Sequence, residues 1–344
     1  MAQAGAGGYR LYPVTTLPEL SADLLAKPAA HAVRQIAIAR AAEVRAAFER
    51  LSAGSVGDVH DFRVALRRLR SWLRAYRPVL SDTLRKKTRR RLAAIADATS
   101  AARDAEVALA WIVAIESLSS REEPGARYIV DRFRLERDAS QAAARAMLDD
   151  SLPDVLESLG KQLGSYWLRQ DVELAEKPKD MASATRDVLA QHADRFGQAV
   201  RRARSITDVA SLHRARIAAK RLRYLIETLV SNASASALVV TLAELQDTLG
   251  VAHDGSRVVE RLLQEMADCA AHDARRTALA SLRRRDAADQ APSFASIRPG
   301  LIALAKRAHA GERAAFDAFR HRWRRSQIAE TAAAAAAAAD ALSG

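Results

Sequence analysis

Two segments of this chain carry one histidine and four arginine or lysine residues at the same spacing. The first reads His60-x-x-Arg63-x-x-x-Arg67-Arg68-Leu69-Arg70, and the second reads His213-x-x-Arg216-x-x-x-Lys220-Arg221-Leu222-Arg223. Guanidinium groups form bidentate, charge-assisted hydrogen bonds with phosphate oxygens. The histidine adds a donor whose pKa a nearby polyanion would raise. The pattern therefore indicates binding of a multiply charged anion.

Helical geometry places most of these cations on one face of each segment. At about 100° per residue, the arginines of the first segment fall within about 80° of its histidine, and the apolar residues fall opposite. We call this face stripe 1; its members are His60, Arg63, Arg67, Arg70 and Arg74. Stripe 2 consists of His213, Arg216, Lys220 and Arg223, and Tyr224 joins it as a further candidate for ligand binding. Arg68 and Arg221 lie about 80° from the stripe centres, so we expect them to face neighbouring helices.

Both stripes are almost purely cationic. A solvated helix face usually mixes the two signs, and like charges at i,i+4 destabilise a helix by about 0.2–0.5 kcal/mol per pair. Glu227 takes the place in stripe 2 that Arg74 has in stripe 1, and we expect it to pair with Arg223. A face of one sign that occurs twice favours a ligand over solvent.

The similarity of the two segments continues downstream. Leu92-Ala-Ala-Ile-Ala-Asp97 pairs with Leu242-Ala-Glu-Leu-Gln-Asp247, and the same register pairs Arg103-Asp104 with His253-Asp254. Because the two matches have nearly the same offset, we interpret them as an internal duplication.

The elements that hold the stripes are predicted to be helices. Only 14 Gly and 9 Pro interrupt 344 residues that are rich in Ala, Leu, Arg and Glu, and alternating strand patterns are nearly absent. We predict an all-α fold of two roughly four-helix bundles, with helices over 28–50, 59–76, 82–100, 104–118, 125–149, 152–170, 182–204, 208–230, 237–250, 256–282 and 297–328.

The predicted organisation has four parts. An irregular leader covers 1–24, the two bundle halves cover 25–175 and 181–328, and an Ala-rich low-complexity tail covers 329–344. We expect the tail to have too little apolar bulk to anchor anything by itself.

The doubled motif resembles the CHAD family, the conserved histidine α-helical domain. The resemblance also rests on Ala102-Arg103-Asp104, interpreted as a turn, and on Leu245-Gln246-Asp247-x-Leu249-Gly250. It extends over about residues 25–325. It implies an internally duplicated all-helical fold in which two bundles are related by an approximate two-fold axis. Basic helices of the two bundles would line a shared groove or pore.

The ligand that this resemblance implies is inorganic polyphosphate, with a cytoplasmic location at polyphosphate granules. The basic positions of the family map here onto His60, Arg63, Arg67, Arg70, His213, Arg216, Lys220 and Arg223. Arg68, Arg89, Arg103 and Arg221 are second-rank candidates. The basic cluster at 85–91 has no counterpart near 231–240. Whether either segment contacts the ligand is therefore left undecided. No triphosphate-tunnel domain is recognisable, so we expect a stand-alone binding module.

Composition narrows the function classes. The formal net charge of +13 favours a polyanionic partner. A single cysteine, Cys269, excludes a disulfide framework. The chain has no run of about 18 consecutive apolar residues and no signal-like start, so we expect neither membrane insertion nor secretion.

Two alternatives remain open. The first is sequence-non-specific nucleic-acid binding through phosphates. The second is a metal-dependent phosphohydrolase, suggested by the dyads His60-Asp61, His253-Asp254 and His272-Asp273. A cationic stripe is a poor place for a divalent metal, and aromatic residues amount to 5%, which leaves few platforms for base stacking. We therefore predict polyphosphate binding without catalysis, cofactor or metal.

Overall fold

The computed structural model describes residues 21–52, 58–166, 179–227, 233–283 and 294–341. These residues form ten helices and no β-strand. The helices are α1 (Ala22–Ala26), α2 (Ala29–Ser52), α3 (Asp58–Ala75), α4 (Lys86–Val113), α5 (Glu123–Gly164), α6 (Met181–Arg202), α7 (Val209–Ile226), α8 (Ala233–Arg283), α9 (Phe294–Arg322) and α10 (Arg325–Asp340). The all-α prediction is confirmed.

The two helices that carry the stripes are held by their apolar faces. On α3, the side chains that repeat with helical spacing, such as Phe62, Leu69 and Trp72, are buried in the core. On α7, Leu222 and Leu225 are buried in the same way. α3 packs against α2, and α7 packs against α6 and α8. Each stripe is thereby turned away from the core.

One hydrophobic cluster joins the two sequence halves. It contains Phe62 and Leu66 from α3, Leu222 from α7 and Phe196 from α6. A second, smaller cluster joins Ile129 and Phe133 of α5 to residues of α4, α8 and α9. α3 and α7 therefore share one apolar support, which fixes how the two stripes sit relative to each other.

The long helices α4, α5 and α8 run through breaks that the sequence prediction placed between shorter helices. The predicted turn at Arg103-Asp104 was wrong, because these residues lie inside α4. The predicted end at Gly250 was also wrong: α8 continues through it and through Gly255. A Cβ on Gly255 would lie 3.0 Å from the Cβ of Glu312, so this glycine serves close packing with α9.

Pro153 lies inside α5, next to the break that the sequence pattern predicts between 149 and 152. A proline inside a helix costs about 3 kcal/mol. Leu148, Leu152, Leu156 and Leu159 continue one buried face across that point, and each buried leucine contributes about 1.5–3 kcal/mol. Burial therefore outweighs the proline, and the helix continues.

The expected low-complexity tail lies largely in α10, which packs against α6 and α8. Ile328, Thr331, Ala335 and Ala339 are buried. Small alanine side chains let the helix approach its neighbours closely. Residues 1–20 and 342–344 fall outside the described part of the chain. So do residues 167–170 of the expected helix 152–170, residues 171–178 of the connector that the sequence predicts at 171–180, and residues 228–230 of the expected helix 208–230.

α8 contains a span, Ala235–Leu279, that is apolar and long enough to cross a membrane by length and composition alone. Its most apolar window has a mean hydropathy of 1.2 and is 44% buried in this fold. Core helices pass the same test, and α8 packs along α7 and α9. The internal duplication and the domain boundaries stay predictions.

Candidate anion-binding site

α3 and α7 contact each other, which brings cations of the two stripes within range of one another's charge. Lys220 of stripe 2 is half-buried and lies within range of the charges of Arg63 and Arg67 of stripe 1. Burial, followed by the charges of Arg216 and Arg67, lowers the pKa of Lys220 to about 6. Burial and four neighbouring arginines thus act together to disfavour the charged form of this ammonium.

In stripe 1, burial and neighbouring positive charges also lower the pKa of a basic residue. Burial lowers the pKa of Arg63 to about 10, helped by the charges of Arg67 and Arg103. Asp104 and Glu106 act in the opposite sense on this pKa. The Nε atoms of Arg67 and Arg216 are buried and have no hydrogen-bond partner among the described residues.

The cations at the centre of the two stripes are not neutralised by direct ion pairs. Within the described ranges, the arginine and lysine members of the stripes that lie within 4.0 Å of no carboxylate oxygen are Arg63, Arg67, Arg70, Arg74, Arg216 and Lys220. A set of unpaired guanidinium groups in a partly buried place is open to an anionic ligand.

The C-terminal ends of the stripes meet through Arg221. The pKa of Arg221 is lowered by burial and by the charges of Arg74, Arg195 and Arg70. The pKa of Arg70 is lowered by burial, while Asp97 on α4 acts in the opposite sense. Arg221 thus faces both α6 and stripe 1.

Three histidines lie at the other end of the site. The rings of His213 and His253 are 5.5 Å apart. Burial lowers the pKa of His253 to about 4, with Arg216 as the next cause. The pKa values of His60 and His213 are also lowered, first by burial and then by neighbouring arginines. These rings are neutral donors at pH 7, and a bound anion would favour their protonation.

Carboxylates lie at the edges of the site. Nε of Arg68 donates to Oε2 of Glu227 at 3.0 Å. Nε of Arg223 lies 3.4 Å from Oε1 of Glu227, which confirms the expected i,i+4 pair. Beside His253, burial raises the pKa of Asp254. The second-rank residues Arg68 and Arg221 therefore face other helices, as the helical angles indicate.

The remaining predicted residues lie at the margin. Arg89 is half-buried on α4, and its Nε has no hydrogen-bond partner among the described residues. Arg103 is exposed and lies 3.3 Å from Glu106, yet its charge reaches Arg63 and His60. Tyr224 is buried beneath Arg223, whose Cζ lies 5.1 Å from the centre of its ring. Tyr224 therefore supports stripe 2 from below.

Sequence reasoning missed two cationic neighbours of the site. Arg257 lowers the pKa of His213 and of His253. It lies four residues after His253, a spacing that puts both on one helix face once α8 is known to be continuous. Arg40 is buried on α2 beside Trp72, with its Cζ 5.5 Å from the ring centre. No sequence pattern distinguishes this arginine from the solvated ones.

The described residues contain no group of three or more His, Cys, Asp or Glu side chains arranged to hold a metal ion. Of the dyads noted in the sequence, His253-Asp254 lies at the site, while His272 is exposed on α8.

Comparison with known proteins identifies the fold. The model of the CHAD domain matches residues 35–264. A crystal structure of the CHAD domain from the plant Ricinus communis superposes with a TM-score of 0.58 at 24% identity, covering 81% of this chain and 93% of that chain. PptA from Streptomyces chartreusis superposes with a TM-score of 0.56 at 19% identity, covering 85% of this chain and 99% of that chain. A search of curated protein sequences found no significant match.

Proposed function

This chain belongs to the CHAD domain family, and we propose that it binds inorganic polyphosphate through stripes 1 and 2. The observation that carries the proposal is the convergence of two cationic stripes around Lys220, whose pKa falls to about 6. Like charges held this close are unfavourable without a ligand, so an anion that enters between them gains their combined attraction.

The geometry suits a threadlike anion. Residues three and four apart on a helix lie about 5 Å apart along the axis, so each stripe offers one basic side chain about every 5 Å. Polyphosphate has about one negative charge per phosphate and can follow such a row. The groove that we propose lies between α3 and α7, with the histidines at one end and Arg74 and Arg221 at the other.

The Phe, Trp and Tyr residues of α3 and α7 favour polyphosphate over single-stranded nucleic acid. Phe62, Trp72 and Tyr224 are all buried, so these helices present no Phe, Trp or Tyr ring to a ligand. Base stacking on exposed aromatic rings contributes about 1–3 kcal/mol per base in proteins that bind single strands. A ligand without bases loses nothing at such a site.

We infer that the protein binds its ligand without hydrolysing it, in the cytoplasm and at polyphosphate granules. Asp104, Glu106 and Asp254 flank the site, where the charges of Arg63, Arg103 and Arg216 lie within range of them. A divalent metal is repelled by such a field. Release of phosphate from long-chain polyphosphate in the presence of Mg²⁺ or Mn²⁺ would contradict this part of the proposal.

The test is a titration of the whole chain with long-chain polyphosphate at 50 and 200 mM salt, with duplex DNA as competitor. We expect affinity to fall at least about a hundredfold between these salt concentrations, by analogy with counterion release from DNA. Polyphosphate should stay bound in excess DNA. Displacement of polyphosphate by an equal charge concentration of DNA would support the nucleic-acid alternative instead.

A further inference from the structure

A second group of arginines surrounds a cavity where α6 ends and α9 passes into α10. The cavity has a volume of about 400 Å³, and we call it the α6–α10 cavity. Its apolar lining consists of Trp323 and Ile328, which are both buried. The arginines that line it are Arg201, Arg204, Arg320, Arg324 and Arg325. Stripes 1 and 2 contribute no residue to it.

The α6–α10 cavity has no acidic lining residue in the described part of the chain. Its five arginines form no ion pair with a described carboxylate, whereas nearby Arg322, which does not line the cavity, lies 3.7 Å from Glu244. Nε of Arg204 donates to the carbonyl oxygen of Arg201 at 3.1 Å, which leaves its terminal nitrogens available. Five exposed arginines thus line one cavity, and none of them has a described carboxylate within 4.0 Å.

Helix electrostatics explains only part of this cluster. Arg201 and Arg320 lie in the last turns of α6 and α9, where the helix dipole favours a cation. Arg324 and Arg325 lie at the N-cap and first position of α10, where the dipole disfavours a cation and favours an anion. The side chain of Arg324 makes no capping hydrogen bond. An anion in the cavity would satisfy both the arginines and this helix end.

A neighbouring cavity extends the cationic surface. It has a volume of about 460 Å³, is lined by Gln198 and Arg202, and shares Arg201 and Arg204 with the first. Both volumes fall in the range of small-molecule sites. The surface therefore suits a compact anion of several phosphate groups rather than a single ion.

We propose that the α6–α10 cavity is a separate binding site for a compact oligophosphate anion, either free inorganic triphosphate or the triphosphate of a nucleotide. Its arginines would bind the phosphate oxygens bidentately. This site does not depend on the stripes, because it is built from α6, α9 and α10. It can therefore exist whether or not the stripes bind polyphosphate.

The test starts from the whole chain with Arg63→Ala, Arg67→Ala and Arg70→Ala, which removes the centre of stripe 1. Isothermal titration with inorganic tripolyphosphate, and separately with adenosine triphosphate, should show one site per chain in this background. Adding Arg201→Ala, Arg204→Ala and Arg324→Ala should weaken that site at least tenfold. Equal loss for both probes indicates recognition of the phosphates alone, and tighter binding of the nucleotide adds a contact to its base or sugar.

The matched control adds Arg275→Ala, Arg298→Ala and Arg313→Ala to the same background. These three arginines are exposed, lie on α8 and α9, and form no ion pair with a described carboxylate. The control removes the same charge and should change the affinity less than threefold. Equal weakening by both triple replacements, or no binding in the starting background, would overturn the proposal. If the triple replacement lowers the melting temperature, the single variants Arg204→Ala and Arg324→Ala give the same comparison.

Discussion

Arg68 of α3 and Glu227 at the end of α7 form an ion pair that connects the two helices that carry the stripes. Nε and Nη2 of Arg68 each lie 3.0 Å from Oε2 of Glu227. Glu227 also pairs with Arg223, and its charge reaches the buried Arg40. One carboxylate therefore compensates three arginines at this end of the site.

Replacing Glu227 should destabilise the fold. Glu227→Gln leaves the guanidinium of Arg68 without its counter-charge in a place where both side chains are largely buried. Loss of such a charged hydrogen bond costs about 1–3 kcal/mol, measurable as a lower urea midpoint with an unchanged slope. Glu260→Gln, which removes an exposed partner of Arg257, should cost less than about 1 kcal/mol. Equal effects of the two changes would mean that the Arg68–Glu227 pair does not stabilise the fold.

Polyphosphate binding should strengthen as pH falls. Lys220, with a pKa of about 6 in the free protein, is mostly neutral at pH 8, and a bound anion raises its pKa, so binding takes up a proton. Affinity should therefore rise as pH falls from 8.5 to 6, by up to about tenfold per pH unit for one proton. Lys220→Gln should flatten this dependence, while Lys306→Gln, which changes an exposed residue of α9, should leave it intact. A dependence that is the same in both variants would assign the proton to other groups.

Replacing a glycine where α5 crosses α9 by a residue with a side chain should destabilise the protein. A Cβ on Gly125 would lie 2.6 Å from the backbone nitrogen of Leu301, so Gly125→Ala must push the helices apart. Overpacking of this kind costs about 1–3 kcal/mol, and thermal unfolding would show it. Gly160 on the same helix has no atom within 4 Å of its Cβ position. Gly160→Ala should therefore stabilise the protein by about 0.5–1 kcal/mol.

The orientation of α3 and α7 could be predicted from sequence, because the spacing of their apolar residues alone determines it. On α3 and α7, the period of the apolar residues determines which side is buried, and the cations must then take the other side. The pairing of Arg223 with Glu227 followed from the same spacing. Burial of Tyr224 did not follow, because a residue at the edge of a stripe can face either way and its neighbours decide.

The full lengths of the long helices could not be predicted. Whether a helix continues through a glycine or a proline depends on packing against residues that are far away in the chain. Gly255 fits α8 because Glu312 of α9 approaches it closely, and Pro153 is tolerated because leucines on both sides of it are buried. Arg40 is buried against Trp72 of another helix. Local spacing carries no information on such contacts, which bring together residues far apart in the chain.

Titration of long-chain polyphosphate against three forms of the full chain tests the role of the stripes most directly. The forms are the parent, the Arg63→Ala, Arg67→Ala, Arg70→Ala variant and the Arg275→Ala, Arg298→Ala, Arg313→Ala control. We predict that the stripe variant loses at least a hundredfold in affinity at unchanged helicity and melting temperature, while the control loses less than threefold. A stripe variant that binds as tightly as the control would contradict the assignment of the site to α3 and α7.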